Sequence, residues 1–208
     1  MTNIPDPTNA SRATPTIPVS DAILHIGSTT FISASSLEVW KVLINTSTWP
    51  AWNSFIPQVT IRSQPDSASN EPLSSVFQKG TTFTFHVSAE PTITLNIPLV
   101  VTEFTAPDPE SASPGQIVWA VDYDVPGAPP PFLLVGERMH ELTDVELVVD
   151  DRLLHGTEVR HWEAMMGWLA YAVQWIYGRK LQQGFNAWVT DLKSFMERVS
   201  DQKLVDAS

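Results

Sequence analysis

A chain of 208 residues, of which 43% are hydrophobic and 17% charged, is long enough to form one domain with a sizeable core. The net charge of −11 argues against nucleic-acid binding, which needs clustered Lys and Arg, and equally against an anionic membrane surface. No uncharged apolar run reaches the about 18 residues that span a bilayer, so we expect no membrane insertion. The absence of cysteine excludes disulfides and thiolate metal sites and fits a reducing compartment, so we expect a cytoplasmic protein.

The N-terminal segment, residues 1–20, differs in composition from the rest of the chain. It carries four prolines among small polar residues and has no apolar central region. This pattern predicts a disordered Pro-rich tail and not a signal or transit peptide. We expect residues 21–200 to form a single ligand-binding domain.

The first ordered elements are a strand and two short helices. Residues 22–32 interleave apolar and β-branched residues with Ser and Thr, which is typical of a strand. Ser35 and the serine after it can cap a helix over 36–45, and Glu38 suits the first turn of that helix. A second short helix follows, with Pro50 near its first turn.

The middle of the chain predicts antiparallel strands joined by turns. The segments with strand-like patterns are residues 57–62, 81–89, 93–104, 116–124, 132–145 and 153–163. A polar loop over 63–75 separates the first of these strands from the second. A long helix then runs from about Met165 to Val199, because large apolar residues recur there with a period of about 3.6.

Local patterns in four places carry a family likeness. They are Ile32-x-Ala34-(x)5-Trp40, Trp49-Pro-x-Trp-Asn53, Gly156-Thr-x-Val-x-His161-x-Glu163 and Gly178-Arg-x-Leu-x-x-Gly-Phe185. Together they resemble the START-like, polyketide cyclase/dehydrase (SRPBCC) superfamily. The resemblance implies an α+β helix-grip fold, in which a curved antiparallel sheet of about six to seven strands wraps a long C-terminal helix around a hydrophobic cavity. Known members are lipid carriers, hormone receptors, aromatic polyketide cyclases and chaperone regulators, so the fold alone does not fix a function.

Two strands concentrate polar residues on one face. Side chains two apart on a strand point the same way, so His161 and Glu163 share a face, as do Arg138 and His140 on the preceding strand. We expect these faces of the two strands to point to the interior of the protein, which would bring the four side chains together. Two interpretations stay open. In the first, Glu163 and Arg138 neutralise each other in a structural network with a hydrogen-bonded histidine nearby. In the second, the four residues form a proton-transfer site.

The proton-transfer interpretation gives each of the four residues a role. His161 and Glu163 would move protons, while Arg138 or His140 would polarise a ligand carbonyl. This chemistry suits the cofactor-free cyclisation or dehydration of a polyketide-like substrate, which is a lyase or isomerase reaction. His140, His161 and Glu163 could also supply three metal ligands, but they lack the short spacing of metal motifs, so we expect no metal. No phosphate loop is present, and we expect no cofactor.

Aromatic residues are the candidate ligand contacts. They are Tyr123 and Trp119 on a strand, Trp52 after the short helices, and Trp168, Tyr171 and Trp175 on the long helix. For Trp52 a purely structural role is the alternative. The expected function is enclosure of a small hydrophobic, oxygenated molecule and its cyclisation or dehydration. A non-catalytic lipid or small-molecule carrier and a protein-binding module that uses its outer surface are the alternatives.

Overall fold

The computed structural model describes residues 12–65, 72–90, 93–149 and 152–206. Its elements, in chain order, are β1 (Leu24–Ile32), α1 (Ser36–Ile44), a 3₁₀ helix (Thr46–Ala51), β2 (Gln58–Ser63), β3 (Thr82–Glu90), β4 (Ile93–Thr105), β5 (Gly115–Val121), β6 (Val135–Val149), β7 (Arg152–Met166) and α2 (Trp168–Asp206). Residues 66–71 of the predicted loop lie outside the described residues.

The seven strands form one antiparallel sheet in the order β1-β7-β6-β5-β4-β3-β2. Its largest unit is the hairpin of β6 and β7, whose strands have 15 residues each. The long helix α2 packs mainly against β1 and β7. The predicted α+β helix-grip fold, with two short helices after the first strand, is confirmed.

Capping hydrogen bonds fix α1 against the sheet. The Ser35 side chain accepts a hydrogen bond from the Glu38 backbone N–H, as expected for an N-cap residue. Asp144 on β6 accepts hydrogen bonds from the backbone N–H of Ser36 at 2.8 Å and from its hydroxyl at 2.7 Å. The carboxylate therefore satisfies a free N–H of the first turn and ties the helix to the hairpin.

The Trp-rich segment after α1 forms the centre of the core. Trp49 is fully buried, and its indole N–H donates to the Leu43 carbonyl at 3.1 Å. Its ring lies 5.8 Å from the rings of both Phe85 and Trp119 and 5.9 Å from that of Phe77, centroid to centroid. Tilted and edge-on rings at such distances attract one another in addition to burying apolar area. The segment thus links the short helices to the inner face of the sheet.

The long helix begins later than its periodicity predicts and packs through its second half. β7 continues through Met166, and Gly167, with a φ of 96°, turns the chain into the helix at Trp168. Phe185 and Trp188 are fully buried against the sheet. Among the described residues, no helix is both long and apolar enough to cross a membrane.

Part of the segment predicted to be disordered contacts the sheet. Residues 1–11 lie outside the described residues. Within residues 12–20, in contrast, Thr14 and Ile17 are buried, and the Trp162 indole on β7 donates to the Ala13 carbonyl at 3.2 Å. The Thr14 hydroxyl donates to the buried Glu137 carboxylate at 2.6 Å, and the Thr16 backbone N–H donates to the same oxygen at 2.9 Å. The composition of the segment did not indicate these contacts, because they depend on the single side chain of Ile17 and on Glu137, which is far away in the sequence.

Candidate functional site

Four polar residues lie side by side on the face of the sheet that α2 covers. Arg138 on β6 is paired with Glu163 on β7, and His140 is paired with His161. The two histidines are fully buried, and the two charged residues are at most 9% exposed. The hairpin register therefore brings together the four side chains that strand alternation placed on one face.

The two histidines stack on each other inside an aromatic shell. The ring centroids of His140 and His161 are 4.3 Å apart with 15° between the ring planes. The other face of His161 stacks on Phe185 at 4.1 Å, while Trp188 lies 4.5 Å from His161 and 4.8 Å from His140. With both faces of His161 covered, only the ring edge, which carries the nitrogens, can contact another molecule.

None of the ring nitrogens of His140 and His161 has a hydrogen-bond partner among the described residues. Burial lowers the pKa of both rings well below the ordinary value, and the positive charge of Arg138 lowers each further. For His161, the neighbouring His140 contributes as well, after burial. Both imidazoles are consequently neutral near pH 7, and each offers one N–H donor and one nitrogen acceptor.

A buried ion pair lies next to the histidine pair. Arg138 donates through Nε at 2.8 Å and through Nη2 at 2.6 Å to the same Glu163 oxygen. The guanidinium carbon lies 4.7 Å from the centre of the Phe185 ring. The remaining nitrogen, Nη1, has no partner among the described residues. The expected neutralisation of Glu163 by Arg138 is present, whereas the histidine hydrogen bond of the structural interpretation is not found in this part of the chain.

Two indoles complete the site. Trp119 on β5 lies 4.2 Å from the His140 ring, and Trp188 on α2 contacts both histidines. Both tryptophans are fully buried, and neither indole N–H has a partner among the described residues. Trp119 was among the predicted ligand contacts. Trp188 was not, although it lies on the same long helix as three of the aromatic residues that were chosen.

Trp52 and Tyr123 lie at the margin of this cluster or outside it. Trp52 packs edge-on against Trp188 at 5.5 Å and donates to the Thr48 hydroxyl, which agrees with a packing role beside the site. Tyr123 lies beyond the end of β5, is 36% exposed, and donates its hydroxyl proton to the Leu134 carbonyl at 3.0 Å. Burial, followed by the Glu137 charge, raises the pKa of Tyr123, so the phenol is protonated near pH 7.

The three aromatic residues chosen on the first half of α2 do not face the interior. Trp168 is 77%, Tyr171 58% and Trp175 89% exposed. The helix is apolar on all sides here, so its periodicity could not show which face packs on the sheet. The helix covers the histidine pair only from Phe185 onward.

The surface of the protein carries a concavity, called the outer groove below. It is an open groove of about 490 Å³ between the start of α1 and the β6–β7 hairpin, lined in part by Asp144, Glu146 and His155. His155 Nδ1 and Glu146 Oε1, on paired positions of the hairpin, lie 3.2 Å apart, and both side chains are largely exposed. The groove shares no lining residue with the histidine pair. In the described parts of the chain, no group of three or more His, Asp or Glu side chains is arranged to hold a metal.

Several solved structures share the architecture of this chain. The chain aligns over 84% of its length with a START superfamily protein from Mycobacterium smegmatis, with a TM-score of 0.50, 14% identity and 98% of that chain covered. A hypothetical protein from Helicobacter pylori gives a TM-score of 0.60 at 13% identity, with 84% of this chain and 89% of that chain covered. The KanY protein gives a TM-score of 0.52 at 11% identity, with 84% of this chain and 97% of that chain covered. The resemblance to START-like helix-grip proteins is confirmed for the fold.

No protein-family model matches the chain. One protein is nevertheless much more similar in sequence than these structures are. Over 189 residues, the chain is 37% identical to the "Oxopyrrolidines biosynthesis cluster protein O" of Penicillium oxalicum, covering 89% of this chain and 92% of the relative. The chain belongs to the same family as that protein.

Proposed function

We propose that the protein encloses a small, oxygenated, hydrophobic molecule of secondary metabolism at the histidine pair and catalyses its cofactor-independent cyclisation or dehydration. The observation that carries this proposal is the stack of His140 and His161, fully buried with all ring nitrogens unpaired among the described residues. Membership in the family of a protein from an oxopyrrolidine biosynthesis cluster supports the metabolic context. The lack of cysteine supports a cytoplasmic location as part of the same proposal.

Unpaired polar groups in a core are unfavourable for folding. Each buried donor or acceptor without a partner costs about 1–3 kcal/mol, and apolar residues of similar size avoid that penalty. Two imidazoles and two indole N–H groups with this property lie in contact here, around His140. Groups that lower the stability of the folded state in this way are expected where side chains bind a ligand and do not contribute to folding.

The geometry suggests a division of roles. One imidazole nitrogen takes a proton from the carbon beside a ligand carbonyl, and Arg138 Nη1 donates to the carbonyl oxygen as negative charge develops there. In cyclisation, the deprotonated carbon bonds to a second carbonyl carbon, whose C=O π bond opens to an alkoxide, and the imidazolium returns the proton to that alkoxide. In dehydration, a C=C bond forms as the C–O bond of a hydroxyl breaks, and the imidazolium gives that hydroxyl the proton with which it leaves as water. Glu163, whose oxygen holds Nε and Nη2 of Arg138, is a positioning residue in this scheme.

Gene deletion with complementation tests the proposal. Loss of the gene should leave an uncyclised or hydrated precursor in the culture, detected by liquid chromatography and mass spectrometry. Wild type and His155→Leu, a change on the exposed outer groove, should restore the product. His161→Leu should be present at normal abundance and leave the precursor. Full restoration by His161→Leu would refute catalysis at the pair. A deletion that lowers the amount of product without any precursor would favour the carrier alternative.

A further inference from the structure

The unpaired groups around the histidine pair are mostly donors. Trp119 Nε1, Trp188 Nε1 and Arg138 Nη1 can only donate, and none has a partner among the described residues. All three side chains are at least nine-tenths buried. The two indole rings contact the imidazoles directly, and Arg138 is next to His140 on the same face of β6. The three donor nitrogens therefore belong to one interior site.

The matching acceptors are few. Each neutral imidazole offers a single acceptor nitrogen, and Glu163 Oε2 already accepts two hydrogen bonds from Arg138. A ligand that satisfies these unpaired donors therefore has several acceptor oxygens and few N–H or O–H groups of its own. A polyol or an amine would compete with the existing donors, whereas adjacent carbonyl oxygens would satisfy them.

Charge restricts the ligand further. Arg138 and Glu163 cancel each other, so an anion would add an uncompensated charge to a buried site. The aromatic rings that contact the histidine pair, those of Trp119, Phe185 and Trp188, carry no charge. An anion can be accommodated only if a proton accompanies it. The ring nitrogens of the histidine pair have no partner among the described residues and are free to hold that proton, whereas Glu163 is engaged by Arg138.

We propose that the site takes an enolised 1,3-dicarbonyl compound and that the His140–His161 pair holds its enol proton. In this step, the enol O–H bond breaks, an imidazole N–H bond forms, and the site gains one negative and one positive charge. The enolate oxygens then accept hydrogen bonds from the indole and guanidinium N–H groups. A simple ketone is too weak an acid for a buried, desolvated imidazole, so the second carbonyl is required. This inference rests on the proposed function and specifies its substrate class.

Calorimetry with two probes of the same ring tests this inference. Pyrrolidine-2,4-dione can ionise, while its 4-methoxy enol ether keeps the ring and both oxygens but has no enol proton. Titrations are made at a pH where the free dione is ionised, in two buffers that differ in ionisation enthalpy. We expect the dione to bind at least about tenfold more tightly than the ether. Its binding should take up about one proton per site from the buffer, since the bound enolate keeps a protonated histidine beside it.

Variants locate the bound probe. His140→Leu/His161→Leu, checked for cooperative unfolding, should lose both the tight binding and the proton uptake. His155→Leu on the outer groove should keep both. Equal binding of dione and ether without proton uptake would overturn the enolate inference and leave the proposed function standing. Failure of both probes to bind, or binding unchanged in the double variant, would also overturn it. The proposed function itself fails separately, by the precursor assay above.

Discussion

Replacing both buried histidines should remove a defined part of the pH dependence of stability. In the folded protein, burial and the charge of Arg138 hold the pKa of His140 and His161 well below the ordinary value. In the unfolded chain, both regain a pKa of about 6.5. Below that pH, the unfolded state binds more protons than the folded state, so the free energy of unfolding falls as the pH falls. The two groups together contribute a slope of up to about 2.7 kcal/mol per pH unit.

The variant His140→Leu/His161→Leu should lack this slope between about pH 5 and pH 6.5, a window above the ordinary pKa values of Asp and Glu. It should also be more stable than the wild type near pH 7.5, by about 1–3 kcal/mol for each unpaired imidazole replaced by a side chain of similar size. Urea unfolding followed by tryptophan fluorescence, repeated across this pH range, measures both effects. His155→Leu, on the exposed surface, is the matched control.

Two results would refute this reasoning. Parallel stability profiles for the wild type and the double variant would mean that the histidines titrate normally in the folded state. A double variant less stable than the wild type near pH 7.5 would mean that the imidazoles contribute more through packing than their unpaired nitrogens cost.

The remaining predictions concern the packing that holds the site. Gly178→Ala should stabilise the protein by up to about 1 kcal/mol, because nothing lies near a Cβ there and Ala favours the helix. Gly184→Ala should instead destabilise the protein by about 1–3 kcal/mol, since the new Cβ would overlap the Phe55 ring. Equal changes of the melting temperature in the two alanine variants would contradict this contact. Thr14→Val should cost about 1.5–3 kcal/mol, because it removes a hydroxyl donor to a buried carboxylate. Thr16→Val should be nearly neutral, since Thr16 donates to Glu137 through its backbone N–H. If urea unfolding shows the same loss of stability for Thr14→Val and Thr16→Val, the contact between the N-terminal segment and Glu137 is contradicted.

Strand alternation was a reliable guide to which residues share the face of the sheet under α2. Period-2 spacing places Arg138 with His140 and His161 with Glu163, and the hairpin register then pairs them across the strands. The spacing could not reveal that Glu163 binds Arg138 and leaves both histidines without partners. Those contacts depend on side-chain rotamers and on the helix packed above the sheet.

Helical periodicity was less informative for α2. Its first turns carry no charged residue, so the pattern did not separate exposed Trp168 and Trp175 from buried Trp188. Which turn covers the sheet is decided by where β7 ends, at Met166, and by the left-handed turn at Gly167. Neither feature can be read from the apolar stripe alone.

Nitrogen-15 NMR of the five histidine side chains, recorded with and without pyrrolidine-2,4-dione, tests the central claim most directly. His140 and His161 can be assigned from the single leucine variants. The proposed site predicts that their resonances move together as the probe is added and that one ring acquires the shift of an imidazolium. Saturable binding that moves only the His155 resonance, or none of the five, would contradict it.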